Sequence, residues 1–357
     1  MILTGEQQAA VEAIEGAIGK RELFALHGLA GTGKTTVAAY VAARWPGARL
    51  CALTGKAASV LRAKTGLPAT TVHAAFYDFV RRDAGEGLVF APAWSPGSLK
   101  GEVLLLDECS MIPKQMAQDI LATGVTVIAI GDPGQLPPVS GVPFFLSANF
   151  TLRQVQRQAL LSPIVRQAHA VRAGRPYEGD GDGFRVSRRV MGEDLLAADI
   201  VLTGRRWTRS RVNELKRQAL GIGARLPRAG EPLVCLKNSP MQGLYNGAIY
   251  MASRDLREGD ECIGIRLDDG DEIEVPADFL GPGREDEPFE AEGRSRWRMA
   301  FAFGYALTVH KAQGSEWDRV LLIDEWGGQR VGRAQWLYTG ITRATREIMV
   351  VPMQATG

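Results

Sequence analysis

Through residues 1–150, short apolar runs alternate with segments whose apolar residues recur at helical spacing. That alternation predicts a parallel sheet covered by helices. "LFALH" (23–27) reads as a buried strand, and "KTTVAAYVAARW" (34–45) as a helix with small apolar residues on one face. "ARLCALT" (48–54), "EVLLLDE" (102–108) and "VTVIAIGD" (125–132) predict three more fully buried strands, each ending in polar residues. In such sheets ligands sit at the carboxyl ends of the strands, where His27, Thr54, Asp107 and Asp132 fall.

Residues 75–100 interrupt this rhythm with two aromatic-bearing segments flanking "DAGEG", which predicts a small hairpin insertion. A second α/β pattern begins near 151. There "QALLSPIVRQAHAVRAG" is expected to be one helix closed by Gly174, "ADIVLTG" (198–204) a strand, and "SRVNELKRQALG" (210–221) a helix. From about 231 the texture turns to strands and turns, with hairpin signals at Asp269-Gly270 and Asn246-Gly247. "DRVLLID" (318–324) and "REIMVVP" (346–352) return to buried strands. The expected organisation is a first α/β domain over 1–150 and a second over 151–230 and 298–357, interrupted by a β module at 231–297.

Composition narrows the class without naming it. Of 357 residues 45% are hydrophobic and 23% charged, as in ordinary globular domains. No apolar run approaches bilayer length, and the N-terminus carries acids where a signal peptide carries bases, so a cytoplasmic protein with no membrane partner is expected. The four cysteines are far apart, with no C-x-x-C pair, and read as reduced, mostly buried thiols rather than zinc ligands. A net charge of +2 neither demands nor excludes nucleic acid. Locally, "RRWTRSRVNELKRQ" (205–218) is strongly basic and "REDEPFEAE" (284–292) acidic.

Candidate chemistry concentrates in "HGLAGTGKTT" (27–36). Gly28-Leu29-Ala30-Gly31-Thr32-Gly33-Lys34-Thr35 fits G-x-x-x-x-G-K-[ST] between a predicted strand and a predicted helix. The glycines let backbone amides converge on phosphate oxygens, Lys34 adds a point charge, and Thr35 offers a hydroxyl to Mg²⁺. Thr36 closes the expected nucleotide segment. "LLLDECSM" puts Asp107, a metal-associated acid, and Glu108, a water-activating acid, at a strand end. "GDPGQLPPV" (131–139) adds Gln135, expected to sense the γ-phosphate or orient water.

Together these motifs resemble a superfamily 1 helicase of the 5′→3′ branch, which contains RecD-like and phage Dda-type enzymes. "LTGEQQAAV" resembles the adenine-reading segment, with Gln7. "LTGKAASVL" and "TVHAAF" resemble the first strand-contacting motifs, and "RQVQRQALLSPIV" the motif carrying a phosphate-sensing arginine, here Arg157. "ALTVHKAQGSEWDRVLL" and "LYTGITRATREIMVV" resemble the last two motifs. The resemblance implies two RecA-like P-loop domains, a strand-separating pin at 75–100 and an SH3-like barrel at 231–297. It implies Arg157 and Arg343 from the second domain at the γ-phosphate of ATP, with Gly314 and Glu316 also at the nucleotide. It implies strand contacts from Thr54, Lys56, Thr71 and His73, and from Thr308, His310 and Lys311. Phe79, Phe90 and Trp94 are the candidate pin aromatics.

The function so implied is ATP-dependent 5′→3′ movement on single-stranded DNA with unwinding of duplex forks, using Mg²⁺. A monomeric, minimal motor in a bacterial or phage-infected cell is expected, with replication or repair proteins as partners. An RNA-directed helicase or ATPase is the alternative, as is a DNA translocase or loader that needs a partner to unwind. For Thr54 and Thr71 the plain reading is a helix cap, and for His73 and His310 a packed imidazole.

Overall fold

The computed structural model describes residues 3–83, 87–138, 141–237, 239, 242–267, 270–281, 298–327 and 331–352. The chain divides into two compact units, one of 1–175 with Ala334–Thr339, the other of 176–333 with 340–357.

In the first unit α1 (Gly5–Ala17) precedes β1 (Leu23–Gly28), α2 (Lys34–Arg44), β2 (Arg49–Ala52), α3 (Gly55–Thr65), β3 (Ala69–Thr71) and α4 (Val72–Phe76). Then come β4 (Tyr77–Asp83), β5 (Gly87–Pro92), β6 (Val103–Asp107), α5 (Lys114–Ala122), β7 (Thr126–Gly131), β8 (Phe150–Leu152), α6 (Arg157–Leu160) and α7 (Pro163–Arg172). Six strands form a parallel sheet in the order β3-β2-β6-β7-β1-β8. Its central strands β6 and β7 are almost wholly apolar because both faces are covered. One face packs Ala10, Val11, Ile14, Val37 and Val41 against Leu26, Leu105 and Ile130. The other packs Val72, Phe76, Ile112, Ala117 and Ile120 against Leu104, Leu106 and Val127.

The insertion is a hairpin in which β4 and β5 pair antiparallel, with Phe79 opposite Phe90. The side chains of 79–90, both phenylalanines included, lie outside the described residues. Trp94 does not stand at a tip, which corrects its assignment to a pin. Its indole donates to the Ala75 carbonyl at 2.8 Å and stacks on Arg49, so it anchors the base of the hairpin.

Two further expectations need correction. The first unit ends at Arg175 rather than 150, because β8 pairs with β1 and the helices after it pack on the loop following β1. A Cβ on Gly31 would meet Ala159, Val155 and Val165 at 2.8–3.3 Å. The single helix expected at 158–174 is two, since Pro163 opens α7 and holds Ser162 extended.

The second unit holds β9 (Phe184–Val186), α8 (Gly192–Ala197), β10 (Ile200–Thr203), α9 (Arg206–Ala219), β11 (Pro232–Cys235), β12 (Ile249–Ala252), β13 (Cys262–Arg266) and β14 (Glu272–Phe279). It continues with β15 (Met299–Phe303), β16 (Ala306–Thr308), β17 (Trp317–Asp324), part of α10 (Arg333–Ile341) and β18 (Ala344–Pro352). A parallel sheet runs β16-β10-β17-β18-β9. Strands β11–β15 close a barrel around Leu233, Tyr250, Ile263, Ile265, Val275, Phe301 and Phe303. The barrel sits where the SH3-like insertion is expected, and β13 pairs antiparallel with β14, while Asp269 of the expected turn lies outside the described residues. Among the described residues no helix is long and apolar enough to cross a membrane.

Candidate nucleotide site

The loop from Gly28 to Gly33 leaves the buried end of β1 and enters α2 at Lys34. Gly31 and Gly33 have φ of 80° and 82°, a left-handed backbone that other residues adopt at a cost of about 1–2 kcal/mol. A side chain on Gly33 would also collide with the Gln7 amide. The amides at the start of α2 have no side-chain cap, so they are donors aimed at whatever anion lies there.

The loop is braced from behind. Gln156 N–H donates to Gly31 O at 2.9 Å, and the amide nitrogens of Gln7 and Gln156 lie 3.5 and 3.4 Å from Thr32 O. Gln7 Oε1 accepts from Thr4 N–H in a capping box, so its side chain joins α1 to the loop. Lys34 Nζ donates to Leu29 O at 3.1 Å and stands 3.6 Å from the Asp132 carboxylate. Asp132 is fully buried. Thr35 and Thr36 are half-buried at the first turn of α2.

Parallel pairing places the ends of β1, β7 and β6 side by side. Asp107 closes β6, and its Oδ1 accepts Glu108 N–H at 3.0 Å. Glu108 has φ 52° and ψ 41°, and among the described residues it is the one non-glycine at positive φ. A strained acid at a strand end marks a position held for its side chain. Behind it the buried Cys109 thiol is pushed well above its usual range by burial and by the charges of Asp107 and Glu108, so it stays protonated. Gln135, on the loop after β7, is buried, and its Oε1 has no hydrogen-bond partner. A buried acceptor without a donor is costly, and it suits a water or phosphate-bound group.

Tyr338 is the residue that sequence reasoning missed. Its segment, Ala334–Thr339, belongs to the first unit although it lies in the last motif of the chain. The fully buried Tyr338 hydroxyl accepts Ala30 N–H at 2.7 Å and donates to Asp132 Oδ2 at 2.6 Å. On the same segment Thr339 Oγ1 accepts Leu136 N–H at 3.0 Å, and Gln335 Nε2 donates to Gln135 O at 2.6 Å. His169 on α7 meets Ala30 O at 2.9 Å. The signal was in the sequence only as a tyrosine beside the recognised arginine motif.

The remaining candidates fall in separate places. Thr54 and Thr71 cap α3 and α4 at the ends of the paired strands β2 and β3, accepting from Ala57 and Ala74 N–H. Capping occupies the oxygen as acceptor and leaves each hydroxyl proton to donate. Lys56 lies in the first turn of α3, and exposed His73 stacks toward Tyr77 at 5.5 Å. Arg157 opens α6 in the first unit, which corrects its assignment to the second; its side chain lies outside the described residues.

In the second unit Thr308 ends β16 opposite Thr203, with half-buried His310 and Lys311 in the following turn. Burial lowers the pKa of His310. Gly314 is buried and Glu316 exposed. Arg343 is 3% exposed and donates to Ser315 O at 3.1 Å, which fixes it beside the 314–316 turn.

A Walker-type loop on one RecA-like sheet, a second such sheet and an inserted barrel are the parts of a helicase-type fold. Residues 2–180, half the chain, match the family described as AAA domain, and 303–351 match the UvrD-like helicase C-terminal domain. The RecD2 DNA helicase of Deinococcus radiodurans is 31% identical across 96% of this chain, and the chain spans 48% of that relative's length. Among solved structures, Pif1 helicases described unwinding forked double-stranded DNA match 98% of this chain and 92% of theirs, with a TM-score of 0.66 at 20% identity. A Bacteroides Pif1 solved with ADP–AlF3 and single-stranded DNA matches 100% and 94%, at 0.62 and 20%. The chain belongs to the AAA-domain family, and along nearly its whole length it is similar to a RecD-type helicase.

Proposed function

We propose that this chain is an ATP-driven motor that moves 5′→3′ along single-stranded DNA and opens duplex forks. The observation that carries the reading is the placement of Lys34, after β1, and of Asp107 and the strained Glu108, at the end of β6, on either side of the end of β7, beside amides with no other cap. In this reading the amides of 31–35 and Lys34 hold the β- and γ-phosphates. Glu108 takes the proton of the attacking water, and the unpartnered Gln135 Oε1 accepts from that water or its neighbour.

Thr35 and Asp107 would hold Mg²⁺, which when bound supplies charge neutralisation at the phosphates. Among the described residues no group of three or more His, Cys, Asp or Glu forms a metal cage. One hydroxyl and one carboxylate fit an ion that takes its other ligands from phosphate and water. Arg343 is the proposed arginine finger, and Gly314 and Glu316 line its turn. Thr54, Lys56, Thr71, His73, Thr308, His310 and Lys311 are the proposed backbone contacts, since hydroxyls and amines grip phosphates without reading bases.

RecD2 is a DNA helicase, and the Pif1 structures hold single-stranded or forked DNA. That favours DNA over RNA here and unwinding over loading alone. Strand displacement with 5′- and 3′-tailed duplexes tests the reading. Unwinding should need ATP and a 5′ tail, and activity on the 3′-tailed duplex alone would overturn the polarity.

A further inference from the structure

Lys34 faces the buried Asp132 and, on the proposed function, the phosphates of a nucleotide. At 3.6 Å the Lys34–Asp132 pair is an ion pair without a hydrogen bond, although both groups are largely removed from water, at 16% and 0% exposure. In such surroundings opposite charges normally close to hydrogen-bonding distance. The oxygen nearest Lys34 is Oδ2, and that same oxygen accepts the Tyr338 hydroxyl at 2.6 Å. Oδ1 accepts Gly134 N–H at 2.8 Å. Asp132 is thus satisfied by two neutral donors and does not need the lysine.

The tyrosine is held for this role. Its hydroxyl can donate only one proton, and Ala30 N–H occupies it as acceptor, which directs the proton to Asp132. The Arg172 guanidinium lies 5.7 Å from the ring centre. Burial, with Asp132 beside it, raises the tyrosine pKa well above its ordinary value, so the donor is never lost in the working pH range.

We propose that Tyr338 is a positioning residue that weakens the hold of Asp132 on Lys34 and so releases the lysine to an incoming nucleotide. Without the hydroxyl, Oδ2 loses its neutral donor and draws Lys34 into a tight buried pair, against which the phosphates must compete. The loss falls on nucleotide affinity rather than on the chemical step. This inference rests on the nucleotide site proposed above.

The test is ADP affinity measured by calorimetry on the full chain, for wild type, Tyr338→Phe, Asp132→Asn and the double variant. A hydrogen bond to a charged group corresponds to about tenfold or more, so Tyr338→Phe should weaken ADP by about tenfold. In the Asp132→Asn background, where no carboxylate competes for Lys34, the same change should have little effect. Equal loss in both backgrounds would assign the hydroxyl to bracing Ala30 alone and overturn the proposal, as would unchanged affinity in Tyr338→Phe. If the phenylalanine variant fails to fold, Asp132→Asn still bears on it: ADP affinity equal to or tighter than wild type is expected, and weaker binding overturns the idea. A wild-type chain that binds no ADP would sink the nucleotide site itself, a result distinct from any of these.

Discussion

The two parallel sheets end in different ways where β1 passes into α2 and where β10 passes into α9. After β1 the loop is glycine-rich, the first amides of α2 have no capping side chain, and Lys34 stands beside them. After β10 the amides of Gly204 and Arg205 both donate to Glu325 Oε1 at 2.9 Å, and Thr208 donates to Oε2 at 2.6 Å. Glu325 is 4% exposed. The second sheet therefore fills its own anion niche with a carboxylate from the end of β17. One architecture thus yields an uncapped loop, the proposed phosphate cradle, and a plugged one, and the difference lies in a handful of loop residues rather than in the fold.

That contrast is most severely tested by the charges assigned to each side. Lys34→Ala should reduce ATP turnover to background, because the cradle loses its only proposed lysine. Arg343→Ala should cut turnover by about 10³-fold or more while nucleotide-free single-strand affinity holds. If strand affinity collapsed and turnover held, Arg343 would grip the strand instead. Steady-state ATPase and strand titration together decide.

Glu108→Gln should lower hydrolysis by about 10²–10⁴-fold and keep nucleotide binding. Glu108→Gly should lose hydrolysis equally but keep or raise the melting temperature, since glycine relieves a left-handed backbone worth about 1–2 kcal/mol. A clear fall in melting temperature would show that the conformation carries no strain.

On the plugged side, Glu325→Ala should destabilise the chain by about 2 kcal/mol or more, as buried N–H groups lose their acceptor. Denaturant midpoints measure this, and the nucleotide stoichiometry of the chain should not change. A second bound nucleotide in that variant would break the comparison, showing a cradle merely occupied rather than differently built.

The smallest effect is a pH slope. Burial lowers the His27 pKa below its ordinary 6.5, partly opposed by Asp132. The neutral form is thus favoured in the folded chain, and its stabilisation is present above 6.5 and lost as pH falls toward the folded pKa. Melting temperature should decline below about pH 6.5, and His27→Gln should flatten that decline. His310, half-buried in the second unit and shifted the same way, should contribute a similar slope there.

What the sequence disclosed was local. The Walker loop needed only eight consecutive residues and a strand before them. The barrel announced itself through Asp269-Gly270, because that turn chemistry and the flanking alternation act over a few residues. The break at Pro163 was equally local and overlooked, since the residue before a proline avoids helix. The boundary at Arg175 was hidden because β8 has three residues and carries no periodicity of its own. The roles of Tyr338 and Glu325 were hidden for a different reason. Tyr338 meets Ala30 across 308 positions, and Glu325 meets Gly204 across 121, so neither contact leaves a trace in any sequence window.

The return of Ala334–Thr339 to the first unit has a consequence for how the chain is made. When Arg175 leaves the ribosome the Walker loop exists, but the hydroxyl for Ala30 and Asp132 and the threonine for Leu136 have not been synthesised. At cellular elongation rates that gap lasts roughly ten to thirty seconds. During it the first unit stands with a buried aspartate lacking its tyrosine donor. Its final locking is therefore a late event in biogenesis, and a fragment ending near Arg175 should be loosely folded around the Walker loop for the same reason. On the proposed function, a nascent chain would bind nucleotide well only after Ala334–Thr339 have been made.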